Sequence, residues 1–296
     1  MSRLFVAALF VSSWLLAGAE QACAQAARDG YASPYTLELR FTPQQLLGDL
    51  QQGRGDPKLS SEVPYADWYG EAVKRRYTSW GPPARHYPAP QLPNRSADYL
   101  RQRVLAVALH YQGRGYQHHH LPDWDPPAGW PWKETAGGRN GQGVDCSNFT
   151  AFVYNLALGF KPTGAVGDQS EMKTVPGPGP GASRPVERIE LPADRSAWPA
   201  LLRPADLIFI RGKEDGPVTH VVLWTGEFGK FTDGSSPPQP LILDSTGEGR
   251  TDDRGQAIPD GVYLRPAGPT TWYARCASHA LRIIPDDAPP AGKRPR

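Results

Sequence analysis

The chain has 296 residues and a net charge of +2, with Lys and Arg dispersed rather than gathered into the basic stripe that neutralises phosphates, so nucleic acid is excluded as a partner class. Its 32 prolines and 31 glycines exceed the usual shares of about 5% and 7%, which demands long irregular connections. Nine Trp and twelve Tyr still supply large apolar bodies for a core, which excludes disorder of the whole chain.

Residues 1–24 join Arg3, an apolar run from Leu4 to Leu16 and the small-residue pattern Ala22-Cys23-Ala24, the organisation of a secretory signal peptide cleaved near Ala24. Export to the periplasm or the medium is expected. The apolar run is shorter than the roughly 20 residues of a permanent span, and no later segment reaches that length, so no integral membrane segment is expected after cleavage. Glu20 and Gln21 stand where a lipoprotein would carry small or aliphatic residues, which argues against acylation of Cys23. Loss of Cys23 leaves Cys146 and Cys276, so at most one disulfide is open to the mature chain.

Residues 25–95 form an accessory N-terminal segment. Thr42-Pro43 opens a helix through Leu50, Ala66 to Tyr77 reads as a second, and Ser79 to Pro93 is an aromatic, proline-rich connector. Trp68, Tyr69, Tyr77 and Trp80 would be costly to leave in water, which favours a packed segment over a mobile linker. A helix from Ser96 to Tyr111 opens the main domain, 96–285. The long loop after it, Gln112 to Gly143, contains His118, His119, His120, Trp124, Trp130 and Trp132.

Cys146 follows within GVDCSNFTAFVYNLALG. Asp145 is a good N-cap, Phe149, Phe152, Val153 and Leu156 recur at helical spacing, and Gly159 is a stop. A thiol in the first turn of a helix meets the positive end of the dipole, which favours a thiolate, and the free N–H groups there can hold an oxyanion. The competing reading is half of a disulfide with Cys276, as exported cysteines usually pair.

Lys161 to Leu202 reads as loop-rich, with the surface excursion Pro176 to Gly181. Strands are expected at Asp206–Arg211, His220–Trp224 and Pro240–Asp244, with shorter ones at Val262–Leu264 and Ala280–Ile284 and a disordered tail over 286–296. Helices followed by strands imply an α+β fold with a mostly antiparallel sheet. Alternation places His220, Val222 and Trp224 on one strand face, expected to look toward the Cys146 helix. If the next strand is a neighbour, Asp244 lies beside His220, completing a thiolate, an imidazolium and an orienting acid.

Asp145 to Phe149 (DCSNF), Pro204 to Gly212 (PADLIFIRG), His220 to Gly226 (HVVLWTG) and Leu241 to Gly247 (LILDSTG) together resemble the NlpC/p60 family of papain-like cell-wall cysteine peptidases, over roughly Ser96 to Ile284. The resemblance implies a papain-like fold, a Cys146 nucleophile, a His220 base and Asp244 as the third residue. It further implies hydrolysis of amide bonds in peptidoglycan stem peptides, with Tyr116 lining a substrate site beside Asp145 and Ser147. No metal and no organic cofactor are implied. The sequence departs from the family pattern at Asn148 and Ala205, both glycine there, and at Asp244, more commonly His, Asn or Gln.

Three consecutive histidines invite a metal reading, but adjacent residues rarely point at one ion, and no cysteine or spaced His pair completes a tetrahedral set. His279 has no oriented polar partner at strand spacing and is expected to be structural; Asp206 is expected to brace the histidine strand, and Trp198, Trp224 and Trp272 to be core or cleft wall. A non-catalytic binding or scaffold protein, and a hydrolase or transferase acting on another amide or ester, are the other functional readings.

Overall fold

The computed structural model describes residues 30–50, 70–77, 84–122, 143–247 and 249–287. The signal peptide with Cys23, the aromatic residues Trp68, Tyr69, Trp80, Trp124, Trp130 and Trp132, and tail residues 288–296 lie outside the described residues. The helices are α1 (Pro43–Asp49), α2 (Glu71–Tyr77), α3 (Ala97–His110), α4 (Cys146–Leu158), α5 (Val166–Ser170), α6 (Trp198–Leu201) and α7 (Trp272–Arg275). The strands are β1 (Tyr35–Leu37), β2 (Thr174–Pro176), β3 (Ser183–Pro185), β4 (Glu187–Glu190), β5 (Leu207–Arg211), β6 (Val218–Trp224), β7 (Gly229–Phe231), β8 (Leu241–Thr246), β9 (Arg250–Thr251), β10 (Ala257–Ile258), β11 (Gly261–Pro266) and β12 (Ala277–Arg282).

The helix signals act where expected. Thr42 and Gln45 form a capping box on α1, Ser96 caps α3 through Tyr99 N–H, and Gly159, at φ 74°, ends α4 in the left-handed region that glycine enters without a Cβ clash. Every residue of α4 is buried, because α3 covers it on one side and the sheet on the other.

Six strands form one antiparallel sheet in the order β11-β8-β6-β5-β12-β4. Its two faces are both apolar. Leu207, Phe209, Val221, Leu223, Leu243 and Leu264 pack with α3 and α4, whereas Ile208, Ile210, Val222, Trp224 and Ile242 pack with Trp198 and Tyr273. Tyr154 on α4 donates to the Ala205 carbonyl at 2.7 Å, fixing the helix to the turn before β5. Ala205 has φ 70°, a left-handed conformation that explains why the resemblance expects glycine there.

The stretch from Lys161 to Leu202 is more ordered than its composition suggests. It contains α5, the β2–β3 ribbon and β4, an edge strand of sequence ERIE in which only Ile189 is apolar and buried. The described part of the accessory segment is tied to the rest: β1 pairs with β7, Tyr35 donates to Asp253 at 2.8 Å, and the buried Arg103 of α3 makes two hydrogen bonds, of 2.8 and 2.7 Å, to Asp49 at the end of α1. No helix among the described residues is long and apolar enough to cross a membrane.

Candidate active site

Cys146 is the first residue of α4 and is 7% exposed. Asp145 sets that position: its carboxylate accepts from Asn148 N–H (2.8 Å), Asn148 Nδ2 (2.8 Å) and His119 N–H (2.7 Å). Asn148 therefore returns a second hydrogen bond to the cap. Ser147 Oγ donates to the Gly164 carbonyl at 2.6 Å. The Asp145 carboxylate and the Ser147 hydroxyl proton are engaged within the protein, where they position the helix start.

His220 meets Asp244 across the sheet, with Nε2 and Oδ1 at 2.8 Å and both side chains buried. Cys146 is the other side chain acting on this imidazole. Burial alone would push His220 down, but Asp244 and then Cys146 outweigh it and hold the proton well above the ordinary histidine range. Asp244 is fully buried, which by itself would raise its carboxyl; His220, Arg265 and Tyr273 together bring it below the usual carboxylate range.

Strand alternation gives the wrong reason for this meeting. Val222 and Trp224, which share His220's parity, pack on the sheet face away from α4, and Val221 and Leu223 face the helix. The contact is made at the helix start instead, beside a register irregularity where Ile210 pairs with His220 and Arg211 then pairs with Val218.

Two residues of this site lie beyond what sequence spacing indicates, and Trp272, read as core or cleft wall, joins them. Tyr273 donates to Asp244 Oδ2 at 2.5 Å, the Arg265 guanidinium lies 3.8 Å from the same oxygen, and the Trp272 ring centroid is 5.3 Å from that of His220. Tyr273 and Trp272 sit on a one-turn helix capped by Thr271, a signal too short to separate from the surrounding loops. Arg265 is on β11, directly beside β8, and the strand pairing would have found it.

Tyr116 is half-buried on a segment stitched to the site. Gly113 N–H donates to Val262, Val262 N–H to Arg114, and Val144 N–H to Gly115, so residues 113–116 bridge β11 and the approach to Cys146. Ser245 Oγ donates to the Val144 carbonyl at 2.6 Å, joining that approach to β8. The Tyr116 hydroxyl bonds His118 Nδ1 at 3.2 Å.

His119 adopts φ 58°, which folds its ring onto His118 at 3.8 Å between centroids and brings ligand atoms of His118, His119 and Asp145 within 4.8 Å of one another. Two adjacent histidines thus do converge, unlike the expectation from adjacency. Asp145 already accepts three N–H groups and the Tyr116 hydroxyl is bonded to His118 Nδ1, so the cluster reads as a hydrogen-bonded loop. His120 is fully buried with Nδ1 on the Gly143 carbonyl at 2.6 Å; burial, then Arg114, push it down to about 3. His279 stacks on Phe209 and bonds the Ser170 carbonyl through Nε2 at 2.8 Å, a scaffold role. Asp206 pairs with Arg282 at 2.8 Å and accepts Trp224 N–H on its carbonyl, bracing β6. Cys146 and Cys276 are both free thiols, and Cys276 is buried in the core cluster on the other sheet face.

No family model matches the sequence, and no curated protein matches it. Among solved structures the chain is similar to an NlpC/P60 family protein from Bacillus cereus ATCC 10987, at 21% identity and a TM-score of 0.29. The alignment covers 48% of this chain and 32% of that one, so the chain matches about a third of that protein's length.

Proposed function

We propose that the chain is an exported cysteine-type amide hydrolase of papain-like organisation, acting on peptidoglycan stem peptides. The observation that carries this reading is the buried series Cys146, His220 and Asp244, in which an imidazole bonded to a buried carboxylate at 2.8 Å stands beside a thiol at a helix start. A binding module has no chemical reason to hold such a set together. The cell-wall substrate class rests on the resemblance of the segments around Cys146 and His220 to the NlpC/p60 peptidases.

The Cys146 thiolate attacks the amide carbonyl carbon, and the electron pair moves to oxygen. Backbone N–H groups at the start of α4, that of Cys146 included, hold the oxyanion. As the C–N bond breaks, the imidazolium of His220 gives its proton to the departing amine and a thioester remains. Neutral His220 then takes a proton from water, the hydroxide adds to the thioester carbon, and the thiolate leaves with the acid product. Asp244 orients the ring throughout and balances its charge. Tyr116 lines the approach as a binding residue, while Asp145 and Ser147 position the helix start. No metal or organic cofactor takes part.

The test is digestion of purified sacculi with the mature protein and with Cys146→Ala, followed by separation of the released fragments. New peptide fragments carrying a fresh amino terminus are expected from the wild type alone. Absence of fragments from both, with a folded wild type, would count against the peptidase reading; products from both would remove Cys146 from the chemistry.

A further inference from the structure

We propose that Tyr273 and Arg265 are positioning residues that hold the buried Asp244 as a carboxylate, so that Asp244 can fix the His220 imidazole against the Cys146 sulfur. This rests on the Cys146–His220–Asp244 reading and deepens it. Asp244 is 0% exposed, and a carboxylate without water is relieved either by donors or by taking up a proton. Its two oxygens are served from opposite sides: Oδ1 by His220, Oδ2 by the Tyr273 hydroxyl at 2.5 Å, with Arg265 Nε at 3.8 Å. A distance of 2.5 Å lies at the short end of O–H···O⁻ bonds, as expected for a charged acceptor.

Charges alternate along the buried line, Arg265 positive, Asp244 negative and His220 positive, with the Cys146 sulfur beyond. Arg265 is itself 0% exposed and is fixed by donation to the Pro259 carbonyl at 2.7 Å and the Gly261 carbonyl at 3.2 Å. The Tyr273 ring is fixed by its place on α7, beside Trp272 at 5.4 Å and with the Arg250 guanidinium 5.5 Å from its centroid. Burial and the neighbouring Asp244 keep the phenol protonated far above its ordinary range, so Tyr273 is a donor at every working pH. The groups facing Asp244 are thus His220 from β6, Arg265 from β11 and Tyr273 from α7, with Cys146 beyond His220 and Arg250 of β9 beyond Tyr273. Without the two Oδ2 partners the dry carboxylate would take up a proton at higher pH. His220 would then lose its counter-charge, and thiolate formation at Cys146 would need more alkaline conditions.

Alkylation of Cys146 by iodoacetamide, followed by the mass of its peptide from pH 4 to 9, reads the thiolate directly and needs no substrate. Tyr273→Phe keeps the ring and removes only the hydroxyl. The pH midpoint of reactivity is expected to move upward by about half a unit to one unit, and in an Asp244→Asn background the same change is expected to add nothing. Arg265→Gln removes the charge near the same oxygen from a different element and carries the same expectation. Superimposable wild-type and Tyr273→Phe profiles, or an equal shift in the Asp244→Asn background, would overturn the proposal. A purely structural tyrosine would lower the melting temperature and leave the midpoint in place. If the shift appears in a protein that releases nothing from sacculi, the substrate reading falls and this one stands.

Discussion

Gly247 ends the strand that carries Asp244, and its missing side chain is what lets Tyr116 lie against it. A Cβ at that position would come 2.8 Å from Tyr116 Cδ1, closer than carbon atoms approach. The neighbour at fault is a partly exposed ring rather than backbone, so Gly247→Ala is expected to displace Tyr116 and leave the fold in place. If Tyr116 lines the substrate approach, the loss is of binding shared by ground and transition states. KM is then expected to rise about three- to tenfold, the worth of roughly 0.7 to 1.4 kcal/mol, with kcat changed little. Steady-state kinetics on a released stem peptide separates the two constants; a fall in kcat at constant KM would place Tyr116 outside the binding surface. At this scale Cys146, His220 and Asp244 stood out because each lies in a short, strongly patterned element, Cys146 at the first position of its helix. Tyr273 and Arg265 did not, since what recruits them is a buried charge, and burial of Asp244 depends on pairing of β8 with both β6 and β11.

Helix α4 places Cys146, and Asp145 places α4. Three N–H groups, two from Asn148 and one from His119, end on one carboxylate that is 4% exposed. Asp145→Ala removes a cap worth about 1 kcal/mol and leaves buried donors unsatisfied at about 1 to 3 kcal/mol more. A total loss of about 2 to 4 kcal/mol is expected in urea denaturation. Asp145→Asn keeps a good cap and is expected to lose less than about half of that. Equal losses in the two variants would mean that the charge, not the cap, holds the helix start. The same local chemistry made α1, α3 and α4 readable from Thr42, Ser96, Asp145 and Gly159, whereas β4 and the β2–β3 ribbon were unreadable. Short edge strands need only one buried residue, Ile189 or Val175, and a single apolar residue among charges and prolines sets no period. Helix and strand order was enough for an antiparallel α+β arrangement, but strand parity assigned the wrong face to His220 because both faces of this sheet are covered by apolar side chains.

For the whole molecule, the buried histidines set how stability responds to pH, and they pull in different windows. His120 is neutral when folded, pushed down to about 3 by burial and Arg114, whereas in the unfolded chain it takes a proton near 6.5. Below pH 6.5 the unfolded state therefore binds a proton that the folded state refuses, and stability falls with falling pH until about 3. One such proton is worth about 1.4 kcal/mol per pH unit. His119 and His279 are lowered as well, each first by burial, and add in the same direction. His220 behaves oppositely. Its folded form keeps the proton well above the ordinary range, so its contribution is complete below 6.5, where both states are charged, and is lost only as pH rises through its raised value. Among the histidines, the acid side of the stability curve should thus belong to His119, His120 and His279 and the alkaline side to His220. His120→Gln is expected to flatten the fall in unfolding free energy between pH 6 and pH 4.5 by about one proton's slope, whatever its cost at neutral pH. Denaturant titrations at four or five pH values measure the slope directly. An unchanged slope would mean that His120 is protonated inside the folded protein, and its bond to the Gly143 carbonyl would then be that of a charged donor.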